Sequence, residues 1–115
     1  MTPMPVMHYR KTPGTVLAKG VVRRLGHTER LMIALVDFTN GPQASAEPAH
    51  SHPHDQAGYV AEGKIVMHLG EEEHRLSAGD LFFIPSGMPH TVRRLTKRVR
   101  LVECFTPLRE DFLGK

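Results

Sequence analysis

The chain has 115 residues, a formal net charge of +3 and 40% hydrophobic residues, a size that fits one domain burying about two-thirds of its unfolded surface. Its single cysteine, Cys104, excludes an intrachain disulfide and points to a reducing, cytoplasmic setting. Met1 to Arg10 is interrupted by prolines and holds no apolar run of the kind a secretory signal or membrane span requires.

In chain order, residues 1–13 are expected to be an extended arm, either free or added as a strand to a partner. Leu17 to Leu25 carries valines between glycines and reads as a first strand. Arg30 to Phe38 is a nine-residue apolar run with β-branched members, too short for an ordinary helix, and reads as a buried strand. Asn40-Gly41-Pro42 is a turn. Beyond it, strand and turn signals alternate closely, with strands expected at Gln56 to Ala61, Ile65 to Leu69, His74 to Leu76, Leu81 to Ile84, His90 to Leu95 and Arg98 to Phe105. Many short strands with Gly/Pro turns and almost no helical periodicity indicate an all-β sandwich or barrel spanning residues 14–106. Residues 107–115 form a tail with room for one helical turn, whose Phe112 and Leu113 can dock on the barrel.

Arg93, Arg94, Lys97, Arg98 and Arg100 cluster near the C-terminus. A solvated strand face accounts for them, since cationic side chains also blunt exposed strand edges. Attraction of an anionic small molecule is a second account. Nucleic acid is not expected, because no aromatic stripe is interleaved for stacking on bases.

The chain holds eight histidines. His8, His27, His68 and His74 are scattered, whereas His50, His52 and His54 fall in one short stretch ahead of a strand. His50 and His52 share a face and lie about 6–7 Å apart along an extended chain, close enough to converge on one metal ion. His54 would lie about 13 Å from His50 on a straight strand, too far for both to reach one ion, and Pro53 bends the path. His90, after the rigid Pro85-Ser86-Gly87-Met88-Pro89 loop, is the best-placed third imidazole. Gln56, four residues after His52, offers a neutral amide oxygen. Three imidazoles and an amide leave the charge of a dication uncompensated, which favours an anionic or carbonyl-bearing ligand.

The last strand gives an independent signal. Val99, Leu101, Glu103 and Phe105 share its more apolar face, so Glu103 is expected to look inward. An inward carboxylate is costly unless paired, near a metal, or protonated. It is therefore either a functional group or the partner of an arginine such as Arg94 or Arg109.

These residues resemble the cupin superfamily, small β-barrels of jelly-roll type with the motifs G-x5-H-x-H-x(3,4)-E-x6-G and G-x5-P-x-G-x2-H-x3-N. Gly79, Pro85, Gly87 and His90 match the second motif, and His50, His52, Gln56 and Gly63 the core of the first. Gln56 stands where most cupins have Glu, and Arg94 where the second motif has Asn. The spacing makes His50, His52, Gln56 and His90 the implied metal ligands, with His54 outside them. The ion would be one divalent transition metal: Ni, Zn, Mn, Fe or Co.

The histidine–glutamine set and the tail Glu103-Cys104-Phe105-Thr106-Pro107-Leu108-Arg109-Glu110-Asp111-Phe112 look like a narrower group, the pectin-degradation cupins. These convert unsaturated uronates into linear ketonised sugars and carry a D-x-F-S/T-P-x-R-x-D-F tail. The resemblance places the catalytic acid on Glu103, one methylene longer than the family's Asp, the aromatic on Phe105 and the arginine on Arg109. Arg94 is added as a further substrate-binding residue. It implies a metal-assisted isomerase or lyase acting on a small sugar acid, with a homodimer covering exposed strand edges and the arm. A three-histidine iron dioxygenase and a non-catalytic sensing module are the alternatives, since cupins host many reactions.

Overall fold

A computed structural model describes residues 6–114. Nine strands form two antiparallel sheets: β1 (Thr15–Ala18), β2 (Val21–His27), β3 (Met32–Phe38), β4 (Asp55–Glu62), β5 (Lys64–Leu69), β6 (Glu72–Ser77), β7 (Leu81–Ile84), β8 (His90–Arg94) and β9 (Val99–Thr106). The larger sheet runs β1-β2-β3-β9-β4-β7 and the smaller β6-β5-β8. The two pack as a jelly-roll barrel. Every strand expected downstream of Asn40 is present, with ends shifted by a residue or two.

Alternation along the strands builds the interior. Val60, Ile65, Met67, Phe82, Ile84, Val99 and Leu101 fill one end of the barrel. Met32, Ala34 and Phe105 fill the other, joined by Leu25, Leu108, Phe112 and Leu113. Gly58 on β4 faces Phe82 on β7, and the Phe82 ring occupies the space where a β-carbon at Gly58 would stand. The large ring and the bare backbone are thus one packing unit.

Three expectations are corrected. Leu17 to Leu25 is not a single strand: Gly20, at φ 76°, turns the chain between β1 and β2, and the Asn40 amide donates to the Lys19 carbonyl at 2.8 Å to close that turn. The strand of the three-glutamate region begins at Glu72 rather than His74, because Gly70, at φ 58°, completes the reversal earlier. The described part of the arm is extended at His8 and Thr12 but not throughout. Tyr9–Lys11 forms a 3-10 turn, the Tyr9 hydroxyl donates to Asp37 at 3.1 Å, and the guanidinium groups of Arg24 and Arg100 pack on the Tyr9 ring at 4.3 and 4.8 Å. Met1 to Pro5 lie outside the described residues.

Glu110–Leu113 forms a second 3-10 turn, with Phe112 and Leu113 against the barrel end. Among the described residues, no helix is long and apolar enough to cross a membrane.

Candidate metal centre

The segment carrying His50 and His52 is tied alongside the one carrying His90. His50 and His90 exchange both backbone hydrogen bonds, at 3.0 and 2.9 Å, and the Gly87 N–H donates to the His52 carbonyl at 2.9 Å. Gly87, at φ 80°, occupies the third position of a turn in which the Met88 N–H returns to the Pro85 carbonyl at 3.1 Å, a conformation that suits glycine. This turn sets the start of β8 and hence His90.

The imidazole rings converge. Ring centres stand 4.4 Å apart for His50 and His90, 4.9 Å for His52 and His90 and 6.1 Å for His50 and His52. One ring nitrogen of each lies within 4.8 Å of those of the other two. His90 is buried, His52 half-buried and His50 exposed, so the cluster closes on the barrel side and opens outward.

The second ring nitrogen fixes the orientation of two of them. His90 Nδ1 donates to the Met88 carbonyl at 2.9 Å and His52 Nδ1 to the His54 carbonyl at 3.1 Å. Each thereby keeps its Nε2 lone pair free. His52 Nε2 stands 3.0 Å from Gln56 Oε1, so two lone pairs aim at one another. A cation between them removes the repulsion: two ligand atoms held about 2.1 Å from one ion at right angles stand about 3 Å apart. Burial, then the neighbouring His52 and Arg109, keeps His50 below the usual imidazole pKa. Burial likewise lowers His90, outweighing the Met88 carbonyl, with His50, His52 and Arg109 adding to the effect. Neutral imidazoles are the form that binds metal. The donor set fits a divalent ion.

The expected positions divide as follows. His50, His52 and His90 come together, with Gln56 in contact with His52. His54 sits behind them, its ring 5.3 Å from that of His52 and its Nε2 3.1 Å from the Leu108 carbonyl. His50, Gln56, His90, Glu103, Arg109 and Phe112 line a common cavity of about 260 Å3. Phe105 lies in its wall, 5.9 Å from the His52 ring. Glu103 faces inward from β9, opposite Gly58 and Ala34. Burial pushes its pKa up to about 7, against the pull of Arg109 and Arg23. No ion pair of Glu103 within 4 Å occurs among the described residues, so neither Arg94 nor Arg109 neutralises it directly.

Arg94 stands apart from this group. It lies four residues beyond His90 on the same face of β8, about 13 Å along the strand, and packs over the Phe38 ring at 4.4 Å while donating to Asn40 Oδ1 at 3.2 Å. It is absent from the cavity wall. Two other arginines, Arg109 of the cavity wall and Arg23, meet on the Phe112 ring. Arg109 forms a two-bond pair with Asp111, at 3.1 and 2.9 Å, and packs 4.2 Å from the Phe112 ring centre. Arg23 packs on that same ring at 4.1 Å, with its Nε buried and unpartnered. Arg23 was legible in principle, since it shares parity with Val21 and Leu25 on β2; reading β1 and β2 as one strand hid the face it occupies.

Comparison with known proteins defines the class. A family model described as "Cupin domain" matches residues 36–105, and the chain belongs to that family: it is a cupin with a three-histidine site able to hold a metal ion. More narrowly, it is similar to the pectin degradation protein KdgF of Dickeya dadantii, 32% identical over 104 residues that make up 90% of this chain and 93% of that protein. Among solved structures, KdgF from a Halomonas species matches with a TM-score of 0.82 at 31% identity, over 91% of this chain and 94% of the other. An RmlC-like cupin from Shewanella frigidimarina matches with a TM-score of 0.86 at 28% identity, over 97% and 99%.

Proposed function

We propose that the protein is a metal-assisted isomerase or lyase acting on a small anionic sugar acid, with unsaturated uronates as the leading substrate class. The observation that carries this reading is one cavity lined by His50 and His90 of the imidazole cluster, an inward carboxyl with a pKa near 7, and an arginine. The likeness to KdgF supports the choice of substrate class.

His50, His52, His90 and Gln56 would hold a divalent ion, which would supply Lewis-acid polarisation of a carbonyl or ring oxygen. Arg109 receives the substrate carboxylate, since its fork matches that group and its other edge is already steadied by Asp111. Phe105 and Phe112, edge to face at 5.6 Å, wall the cavity and exclude water from one side. Glu103 takes up and returns the proton: a carboxyl with a pKa near neutrality is present in both forms at working pH, which general acid–base transfer requires.

The test is to purify the protein with its native metal, supply a panel of unsaturated uronates, and follow loss of substrate and carbonyl product by NMR. Conversion by the wild type, with metal retained and turnover lost in Glu103→Gln, is the expected result. Equal turnover in that variant removes Glu103 from the mechanism. Turnover that is strictly oxygen-dependent and supported by Fe(II) alone replaces the reading with an oxygenase. Tight binding without chemical change replaces it with a sensing module.

A further inference from the structure

Beyond Thr106, the last residue of β9, few polar ties hold the segment that carries Arg109. Among the described residues, two hydrogen bonds join residues 107–113 to the rest of the barrel. His54 Nε2 donates to the Leu108 carbonyl at 3.1 Å, and Arg23 Nη2 reaches the Phe112 carbonyl at a long 3.5 Å. The other bonds of the segment are internal, from the Phe112 N–H to the Arg109 carbonyl and from Arg109 to Asp111. The stronger tie thus falls one residue before Arg109. It comes from a histidine that stands outside the imidazole cluster.

His54 is built as a strut. Pro53 and His54 form a bend ahead of β4, and the His54 ring lies beside Pro107 and Leu108 in the wall of a groove that Asp111 also lines. The backbone is pinned on both sides of it: the Gly87 N–H donates to the His52 carbonyl at 2.9 Å and the Ser86 N–H to Asp55 Oδ1 at 2.9 Å. A carbonyl only accepts, so Nε2 of the His54 ring carries the proton. Its Nδ1 is buried without a partner, so among the described residues the bond to Leu108 is the ring's one hydrogen bond. A ring kept in place with an unmatched nitrogen calls for a reason.

The proton on His52 joins this strut to the metal centre. His52 Nδ1 stands 3.1 Å from the His54 carbonyl, and its Nε2 stands 3.0 Å from Gln56 Oε1. Both partners accept, and an imidazole carrying one proton can satisfy only one of them. Without an ion the proton is free to divide between the two nitrogens, and the His54 carbonyl is held part of the time. An ion on Nε2 removes that choice and commits the proton to Nδ1.

We propose that His54 is a positioning residue through which occupancy of the imidazole cluster sets the C-terminal turn. The His54 peptide, once held by His52, steadies its own ring, and the ring steadies Leu108 and the turn that follows. Arg109 and Phe112, both in the cavity wall, are then seated before a ligand arrives. The coupling is reciprocal, so seating the turn also tightens the ion. The use of Arg109 for a carboxylate rests on the function proposed above; the coupling itself does not.

The experiment follows the full chain by NMR at pH 8, with and without saturating Zn. It reads the ring nitrogen shifts of His52, which separate the two tautomers, and hydrogen exchange of the Phe112 and Gly114 amides, both bonded within the turn. In the wild type, Zn should convert a mixed His52 tautomer to Nδ1–H. It should also slow exchange in the turn by about two- to tenfold, the worth of one hydrogen bond. His54→Ala should still bind Zn, weakened by no more than that factor, while its turn exchanges fast with or without the ion. His54→Gln, whose amide N–H can take the place of Nε2–H, should recover the slowing, which mere filling of space would not do. A single His52 tautomer that ignores Zn, wild-type turn exchange that ignores Zn, a folded His54→Ala that keeps the slowing, or a folded His54→Gln that fails to recover it each overturns the inference. A wild type that takes up no Zn removes the metal centre and the inference together. If either variant does not fold, the wild-type measurements decide alone. No uronate enters the measurement, so absence of turnover leaves this result standing, and failure here leaves the proposed reaction standing.

Discussion

His50 and His90 trade both of their backbone hydrogen bonds, and their imidazole centres consequently stand 4.4 Å apart. The two histidines are thus positioned by main chain rather than by side-chain packing alone. His90→Ala and His52→Ala should each weaken metal binding by more than the roughly 10–100-fold that follows loss of an outer hydrogen bond to a ligand. The fold should survive, because the backbone pairing does not need the rings. Calorimetric titration with Zn, Ni, Mn and Co checks this; unchanged affinity in both variants would remove the cluster as a metal site.

Glu103 makes a signed prediction about stability in the metal-free protein. Its pKa rises from an ordinary 4.5 to about 7 on folding, so the folded chain holds that proton more tightly than the unfolded chain. The associated stability is fully present below pH 4.5 and is lost as pH climbs to about 7, a total on the order of 3 kcal/mol. Glu103→Gln should be more stable than the wild type at pH 8, with the difference shrinking toward pH 4.5. Urea unfolding with chelator present, at a series of pH values, measures it; parallel curves for the two proteins would show that the carboxyl is well solvated.

Asp111 holds one edge of the Arg109 guanidinium, through Nε and Nη2, and that pair of bonds lowers its own pKa. Asp111→Asn keeps the shape but loses the ionic pair. Binding of a carboxylate-bearing ligand should weaken several-fold through a higher KM, with kcat little changed, because an uncommitted arginine must be ordered at each binding event. A fall in kcat at constant KM would instead place Asp111 in the chemical step.

Gly58→Ala should destabilise the barrel by about 1–3 kcal/mol or more. The added methyl meets the Phe82 ring, buried in the main cluster. Gly58→Ala combined with Phe82→Leu should recover part of the loss, since the shorter side chain vacates the space. Thermal unfolding of the two variants distinguishes this close approach from a mere preference for backbone freedom.

Strand positions and their inward faces were readable because alternation is local: Leu81 to Ile84 and the Val99, Leu101, Glu103, Phe105 face need only a period of two. The convergence of His50, His52 and His90 was readable because their spacing survives in short motifs. What escaped depends on distances no local pattern encodes. Arg94 has the parity of His90, but it lies about 13 Å further along β8 and packs over the Phe38 ring at the cavity's margin. Arg23 reached the cavity's surroundings through a turn at Gly20 that one continuous strand would not contain. The hydrogen bond from Tyr9 to Asp37 joins the arm to the end of β3, 28 residues away, and nothing in the arm's own composition announces that partner.

Four strands, β4 to β7, lie between His52 and His90 along the chain. An ion gripped from both sides therefore closes a long loop, as a covalent staple would, but reversibly. Melting temperature should climb with metal concentration following RT ln(1 + [M]/Kd), and stripping the ion should loosen the mouth of the barrel while its far apolar end stays packed. Protection of the β8 amides from hydrogen exchange would then serve as a gauge of occupancy that requires no substrate.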